Sequence, residues 1–314
     1  MEKLDFITPQ HRYCTLDYYL KKRFNSKVSK ISLNGNFTCP NRDGKVSYKG
    51  CVFCSEKGSG DFAGDPKDSI TTQFNKVKDI ISLKWPKSKY IAYFQANTNT
   101  YGPIDKLSRL FYEAINIEDV VVLSIATRPD CLGDDVLDLL EALNKIKPVW
   151  VELGLQTIHE ETSKFINRGY NLEVFDNAVR KLRQRNIEVI VHIINGLPNE
   201  TKEMMLETVK HLNNLDIQGI KIHSLYICDN SPLGKMYLSN PFKVLSLSEY
   251  LDIITSQLAI LRSDIVVHRI MGDAPRQNLI EPTWSIKKLV VMNEIDKLMK
   301  EKCLYQSIIY RGTN

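Results

Sequence analysis

Val120-Val-Val-Leu-Ser-Ile-Ala-Thr127 reads as a β-strand that water reaches on neither face. A strand exposed on one side alternates apolar with polar residues. This run is apolar almost throughout, as in a parallel sheet whose faces are both covered by helices. Arg128-Pro-Asp130 closes it with a residue that cannot donate to a ladder. Amphipathic, helix-length segments flank it at 104–115, just after Pro103, and at 134–146. The same alternation runs along the chain, with strands at 31–37, 90–96, 149–155, 188–195 and 219–226 and helices at 69–83, 174–186 and 202–213. Such alternation builds βαβ units, and right-handed crossovers curl six of them into a partial barrel or a doubly wound sheet. Two more helices are expected at 247–262 and 286–300. The chain then divides into a basic, aromatic lead-in (1–30), the strand–helix repeat (31–268) and a C-terminal extension packed on it (269–314). Within the extension, 269–284 breaks periodicity and reads as a charged, aromatic loop of the kind that often carries function.

Composition fits this picture. The 314 residues are 43% hydrophobic and 25% charged, enough for a core without staples, and 15 Gly with 12 Pro exclude collagenous or low-complexity architecture. The longest apolar runs are strand-sized, so no membrane span is expected, and the first residues carry no secretory signal, so the expected location is the cytoplasm. A net charge of +5 permits a polyanionic partner without demanding one. Basic residues cluster at Lys21, Lys22, Arg23, Lys27 and Lys30 and again at Arg180, Lys181, Arg183 and Arg185, where a solvated helix face is the plain reading.

Of seven cysteines, Cys14, Cys131, Cys228 and Cys303 are scattered, as small buried apolar residues are. Cys39, Cys51 and Cys54 fall together directly after the first expected strand, on a loop with Gly44 and Gly50. In α/β barrels the loops after strand C-termini form the active site. Three thiolates on one loop suit either a zinc site completed by a distant ligand or an iron–sulfur cluster with one iron left open.

These residues resemble the radical S-adenosylmethionine (SAM) superfamily. Cys39-x11-Cys51-Val-Phe-Cys54 is similar to the long-armed cysteine motif of its YhcC/YtqA-like, Elongator-related branch, in place of the usual Cys-x3-Cys-x2-Cys. Thr127-Arg-Pro-Asp130 resembles a tetrapeptide of the Elongator catalytic subunit. Glu152-Leu-Gly-Leu-Gln156 with Asn167-Arg168, and His192-Ile-Ile-Asn-Gly-Leu-Pro198 with Thr201, resemble motifs of coproporphyrinogen dehydrogenase-like members. The resemblance spans about residues 20 to 285. It implies an α/β fold, a partial (β/α)6 TIM-like barrel, and an enzyme. Cys39, Cys51 and Cys54 would bind a [4Fe-4S] cluster whose open iron takes SAM, and one electron from a reductant such as flavodoxin or ferredoxin would release a 5′-deoxyadenosyl radical.

By position in the family motifs, the expected SAM contacts are Gln95, Asn97 and Thr98 after the second strand, Ser124 and Thr127 on the third, Gln156 and Arg168, and His192. Ala126 stands where relatives carry a Glu, and His192 where they carry an Asp. Each of these side chains also has a plainer role. Arg168 suits a helix C-terminus, Gln156 the pairing of backbone groups at a strand end, and His192 a satisfied core histidine. No residue is singled out as the catalytic acid, base or hydrogen-atom donor.

The branch implies a tRNA partner, engaged at the anticodon loop, and conversion of 5-carboxymethylaminomethyl-uridine at the wobble position to 5-aminomethyl-uridine. A separate methyltransferase would act downstream. A wobble base is already unpaired, so presenting it costs little. The lead-in, with Tyr18, Tyr19, Phe24 and Arg23, and the 269–284 loop are the expected RNA contacts. The chain ends at Asn314, with little room for an Elongator-type acetyltransferase. Two alternatives stand beside this reading: oxidation of a small or porphyrin-like metabolite, and a zinc-stabilised RNA-binding module without catalysis.

Overall fold

Seven parallel strands form one sheet in strict chain order: β1 (Val28–Leu33), β2 (Lys89–Phe94), β3 (Val120–Thr127), β4 (Val149–Gln156), β5 (Glu188–Asn195), β6 (Gly219–Ser224) and, after β7 (Ile227–Cys228), β8 (Val266–Arg269). The computed structural model describes residues 4–310 and 312, apart from 56, 57, 59, 61 and 62. A doubly wound sheet reverses its strand order at a switch point. This sheet does not reverse, and that decides for the barrel.

Its curvature can be measured from side chains. Strands sit about 4.8 Å apart, so β2 and β6 would be roughly 19 Å apart in a flat sheet. Yet Lys221 Nζ on β6 lies 3.4 Å from Tyr93 Oη on β2, and Lys30 Nζ on β1 lies 2.9 Å from Glu152 Oε1 on β4. These pairs meet only if the face that carries them is concave.

The outer face is covered by α2 (Ile70–Lys84), α3 (Ile104–Ile115), α4 (Asp134–Asn144), α6 (Leu172–Gln184), α7 (Lys202–Asn213), α9 (Leu247–Ile260) and α10 (Lys288–Glu301). Short helices α5 (Glu160–Phe165) and α8 (Pro232–Ser239) lie in the connections after β4 and β7. Alternate strand residues such as Leu123, Ile125, Val151, Leu153, Val189 and Val191 pack outward under these helices. Their neighbours Ile91, Val122, Trp150 and Ile190 point inward. The unbroken apolar character of the strands therefore reflects two buried faces, as expected.

Helix α1 (Leu16–Phe24) starts at Thr15, whose side chain accepts from the Tyr18 amide. It closes the N-terminal end of the barrel. Leu20 is buried among Val28, Ile91, Val122, Trp150 and Ile190, residues from the lower halves of five strands. Burying such a leucine stabilises by about 1.5–3 kcal/mol.

Four expectations need correction. The sheet has a seventh strand, β8, and its four residues are too short for a periodic signal so close to the helix before it. The first strand begins three residues earlier than 31 and ends at Leu33, because Asn36 takes a left-handed φ of 53° that no strand holds. The lead-in is a structural plug: Arg23 pairs with Glu188 at 2.7 Å, Lys27 and Lys21 with Asp17, and Lys22 with Asp5. Tyr19 and Phe24 pack against the core at the end of the barrel opposite the loops that follow the strands. It is thus misplaced to meet RNA at those loops. The 269–284 segment is likewise ordered by packing. Its strand β9 (Leu279–Glu281) pairs antiparallel with β7, and Trp284 donates to the Leu245 carbonyl at 2.9 Å and stacks on Tyr250. No helix among the described residues is long and apolar enough to cross a membrane.

Candidate active site

The three-cysteine loop lies across the C-terminal mouth of the barrel. On one side Phe37 anchors it in the main core; on the other, Val52 and Phe53 join the apolar cluster of Ile166, Leu197, Leu225 and Leu233. The Val52 amide donates to the Ile166 carbonyl at 3.0 Å, and the Leu233 amide donates to Val52 at 2.8 Å. Asn41 is fully buried, and its Nδ2 donates both to the Asn167 carbonyl (2.6 Å) and to Cys51 Sγ (3.4 Å). Asn167 returns a bond to the Gly50 carbonyl at 2.7 Å. The loop must bend sharply for this, and Gly50 supplies a φ of 70°.

The Cys51 and Cys54 thiols hydrogen-bond each other. Among the described residues no three His, Cys, Asp or Glu side chains converge at metal-ligand distance. The donor set is nevertheless informative. Histidines, the commonest partners of three thiols in a zinc site, are committed elsewhere: His11 to Asp296, His159 to the Met204 carbonyl, His192 to Glu152 and His211 to Asp176. His223 lies against His192 and His268 against Trp150. The three thiols of the loop are the soft three-ligand set that suits an iron–sulfur cluster.

Against this loop packs a hairpin formed by Asn167, Arg168, Gly169 and Tyr170. Arg168 is 1% exposed, and its Nη1 donates to the Leu155 and Thr157 carbonyls at 2.7 and 2.6 Å, its Nε to the Tyr170 carbonyl at 3.0 Å. Only Nη2 is left, buried, 3.7 Å from Glu160 and without a hydrogen-bond partner among the described residues. Arg128 chelates Asp130 at 2.9 and 2.7 Å and donates to the Arg168 carbonyl at 2.8 Å. Both guanidiniums lie against the Tyr170 ring, at 4.9 and 4.7 Å. The Thr127-Arg-Pro-Asp130 motif thus ties strand β3 to the hairpin, and the hairpin to the cysteine loop.

Gln156 ends β4 at a register shift, with φ at 63°. Asparagine visits that region readily but glutamine does not, and such strain costs about 1–3 kcal/mol and gathers at functional sites. After β2, the Thr98 amide donates to the Thr38 carbonyl at 3.2 Å and Asn97 Nδ2 to the Phe37 carbonyl at 3.0 Å, so this turn lies beside Cys39. Gln95 accepts from Ser32 Oγ at 3.1 Å. Thr127 is tied to Thr100, hydroxyl to hydroxyl, at 2.5 Å.

Ser124 and His192 belong to a different layer, inside the barrel. Each of six strands contributes one residue to a ring there: Lys30, Tyr93, Ser124, Glu152, His192 and Lys221. Glu152 is its centre. Ser124 Oγ donates to Oε1 at 2.7 Å, Lys30 joins the same oxygen, His192 Nε2 lies 2.7 Å from Oε2, and Lys221 also binds Oε2. Both ammoniums also face the Tyr93 ring, at 4.2 and 4.5 Å. Burial works against the charge on Glu152, but Lys221 and Lys30 outweigh it and hold the carboxyl well below its usual range. Burial, with Lys221 beside it, pushes His192 down to about 4.

The expected SAM contacts therefore divide. Gln95, Asn97, Thr98, Gln156 and Arg168 gather at the mouth beside the cysteines, Thr127 turns to Thr100 at the end of β3, and Ser124 and His192 face Glu152 below. Sequence reading missed Lys30, Tyr93 and Lys221 as site residues. The available signal was a charge at an inward-facing position of a buried strand, most visibly Lys221 in Gly219-Ile-Lys-Ile.

A pH prediction follows. His192 stays neutral when folded and binds a proton below 6.5 when unfolded, so the unfolded state takes up more protons between about pH 4 and 6.5 and stability falls with acidification. From pH 7 to pH 5 this one group should cost about 2 kcal/mol. Urea titrations of the wild type and of His192→Asn at both pH values would show it; an equal acid loss in both proteins would refute the assignment.

Comparison with known proteins agrees with this geometry. The chain matches the radical SAM superfamily over residues 39–212 and the radical SAM C-terminal domain over 217–301. It is 46% identical to YtqA of Bacillus subtilis over 306 residues, 98% of this chain and 95% of that protein. It is 27% identical to the tRNA uridine(34) acetyltransferase of Methanocaldococcus jannaschii over 164 residues, 51% of this chain and 30% of that one. Among solved structures, Methanocaldococcus infernus Elp3 superposes with a TM-score of 0.68 over 90% of this chain and 64% of its own, at 19% identity.

Proposed function

The chain belongs to the radical SAM superfamily, whose enzymes work with a [4Fe-4S] cluster and SAM, and on that premise we propose that it modifies the wobble uridine of tRNA. In this reading Cys39, Cys51 and Cys54 hold the cluster. Gln95, Asn97, Thr98, Gln156 and Arg168 receive SAM at the mouth, Thr127 supports the strand end there through Thr100, and Ser124 and His192 shape the space beneath. When bound, the pair supplies a 5′-deoxyadenosyl radical. The chain's own residues bind, orient and exclude water. Asn41, Asn167 and Arg128 fix the cysteine loop over the mouth, and the barrel below is closed by α1, so a radical formed at the mouth would face a protected interior.

The observation that carries the tRNA reading is similarity, over half of this chain, to a protein named for tRNA uridine 34. The loop adds a physical reason. Its arm presents Lys45, Tyr48 and Lys49 to solvent at the mouth, with Tyr48 82% exposed, a cation–aromatic surface suited to an unpaired nucleotide. The proposed reaction converts 5-carboxymethylaminomethyl-uridine to 5-aminomethyl-uridine in the cytoplasm: the carboxymethyl carbon would be oxidised by two electrons, with SAM as the oxidant, and water would release it as a two-carbon oxo acid, with flavodoxin or ferredoxin priming the cluster and a separate methyltransferase downstream. Nucleoside mass spectrometry of bulk tRNA from cells with and without the gene tests it. Deletion should raise the carboxymethylaminomethyl form and deplete the downstream aminomethyl forms. An unchanged profile would reject the tRNA substrate and favour a metabolite.

A further inference from the structure

On the Phe37 side of the cysteine loop the surface sinks into a cavity of about 410 Å³, the size of a small-molecule site. Thr38 lines it, so the cavity opens one residue from Cys39. Two of its walls are aromatic, Phe37 and Tyr101, and each ring carries an ammonium. Lys106 Nζ lies 4.4 Å from the centre of the Phe37 ring, and Lys45 Nζ lies 5.3 Å from that of Tyr101. Gly102 completes the wall without a side chain; a Cβ there would press on the Phe37 ring at 3.2 Å.

These cations differ from those of the lead-in. Lys21, Lys22 and Lys27 are each held by a carboxylate. Among the described residues, Lys45, Lys49 and Lys106 have no carboxylate at ion-pair distance. Lys106 Nζ donates to the Asn36 carbonyl at 2.6 Å. Burial and Arg109 lower its pKa from the usual lysine value, an effect that no neighbouring anion offsets. The arm of the loop carries the same chemistry back to the mouth. Tyr48 stands over Gly44, where a Cβ would collide with its ring, and Asn167 Nδ2 of the hairpin donates to Ser47 Oγ at 3.2 Å. Tyr48, Lys45 and Tyr101 thus form a cation–aromatic track from the hairpin to the cavity.

We infer that the cavity is a second nucleotide subsite, which takes the unpaired neighbour of the base that enters the barrel mouth. The base of that neighbour stacks on Tyr101, and its phosphate lies at Lys106. Asp43 lines the same cavity beside the Tyr101 hydroxyl, repels a phosphate there and so fixes this polarity. Single-stranded RNA is held in this way, by aromatic platforms set in a cationic groove. The inference rests on the tRNA reading of the mouth and adds the nucleotide next to the reacting one.

The test uses the reconstituted holoenzyme and two anticodon stem-loop RNAs, with 2-aminopurine on the 5′ or the 3′ side of the wobble uridine. Wild type should bind both, and one of them should report the stacking of its flanking base by a change in fluorescence. Tyr101→Ala should abolish that change and weaken binding about tenfold, and Tyr101→Phe should keep both. Lys106→Met should keep the fluorescence change but lower the slope of log affinity against log salt by about 0.7, the share of one phosphate on a single strand. Iron content and melting temperature should equal those of the wild type in all three variants, since Tyr101 lies outside the buried core and methionine still covers the Phe37 ring. Binding and fluorescence unchanged in Tyr101→Ala, a salt slope unchanged in Lys106→Met, or no fluorescence change with either RNA bound to wild type overturns the inference. Variants that keep RNA binding but slow the reduction of the cluster by reduced flavodoxin would make the cavity a docking face for the electron donor, and the inference falls. If wild type binds neither RNA, the tRNA reading fails, and saturation-transfer NMR with AMP decides the subsite by itself. Transfer that Tyr101→Ala loses supports a nucleotide subsite; transfer absent from wild type, or kept by the variant, overturns it.

Discussion

Cys51→Ala should purify folded and without its cluster. Iron should fall to background after anaerobic reconstitution, the visible absorbance of the cluster should vanish, and SAM cleavage should drop below detection. The fold should survive because the hydrogen bonds of the Cys51 sulfur, among the described residues, are one each with the Asn41 amide and the Cys54 thiol, while the loop is held by backbone bonds from Val52, Gly50 and Leu233 and by the Asn41–Asn167 pair. Melting should move by no more than the equivalent of about 1 kcal/mol, the usual worth of one such hydrogen bond. Cys303→Ala, at an exposed position, is the control and should keep full iron. Iron retained in Cys51→Ala would remove this residue from the ligand set, and iron lost from both variants would point to reconstitution rather than ligation.

Glu152→Ala should be the most destabilising single substitution inside the barrel. It strips the acceptor from Lys30, Lys221, Ser124 and His192 at once, leaving both lysines beside the Tyr93 ring without a carboxylate. Removing one member of a buried ion pair typically costs about 3–5 kcal/mol, and here three further groups lose a partner. Glu152→Gln should cost less, since the amide still fills the space and accepts a bond. The urea midpoint should fall with the slope unchanged. The pH dependence has a definite sign. The folded carboxyl titrates far below its unfolded value of about 4.5, so its contribution is fully present above that value and is lost as pH falls through the native one. The gap between wild type and Glu152→Ala should therefore be widest at neutral pH and narrow in strong acid. A loss under about 1 kcal/mol at pH 7 would mean that the ring is hydrated and only loosely coupled.

Much of the mouth was legible in the chain itself. Cys39, Cys51 and Cys54 identify themselves by spacing and by their place after a strand. Thr127-Arg-Pro-Asp130 was legible as a motif but not as a device: only the structure shows Arg128 bridging Asp130 to the hairpin carbonyl of Arg168. Arg168 does not cap a helix as its plainer reading expected: Nη1 and Nε bind carbonyls at the end of β4 and in the hairpin. The lead-in misled because a run of lysines and aromatics has the same composition whether it faces RNA or caps a barrel. The Arg23–Glu188 pair and the packing of Leu20, Tyr19 and Phe24 on strand residues show that it caps.

The sequence by itself determined the parallel βα order, because apolar runs without alternation can be buried only between two layers of helix. It also determined the three-thiol loop, because ligands on a single short segment stay together in any fold. The ring of Lys30, Tyr93, Glu152 and Lys221 was decided by tertiary structure alone. Strand periodicity says which side chains share a face, but not whether that face is flat or concave. Lys30 and Glu152 are separated by 122 positions in the chain, and only the curl of the sheet brings them together. Curvature is a property of the whole set of strands and crossovers, and so the chemistry inside the barrel has no local signature.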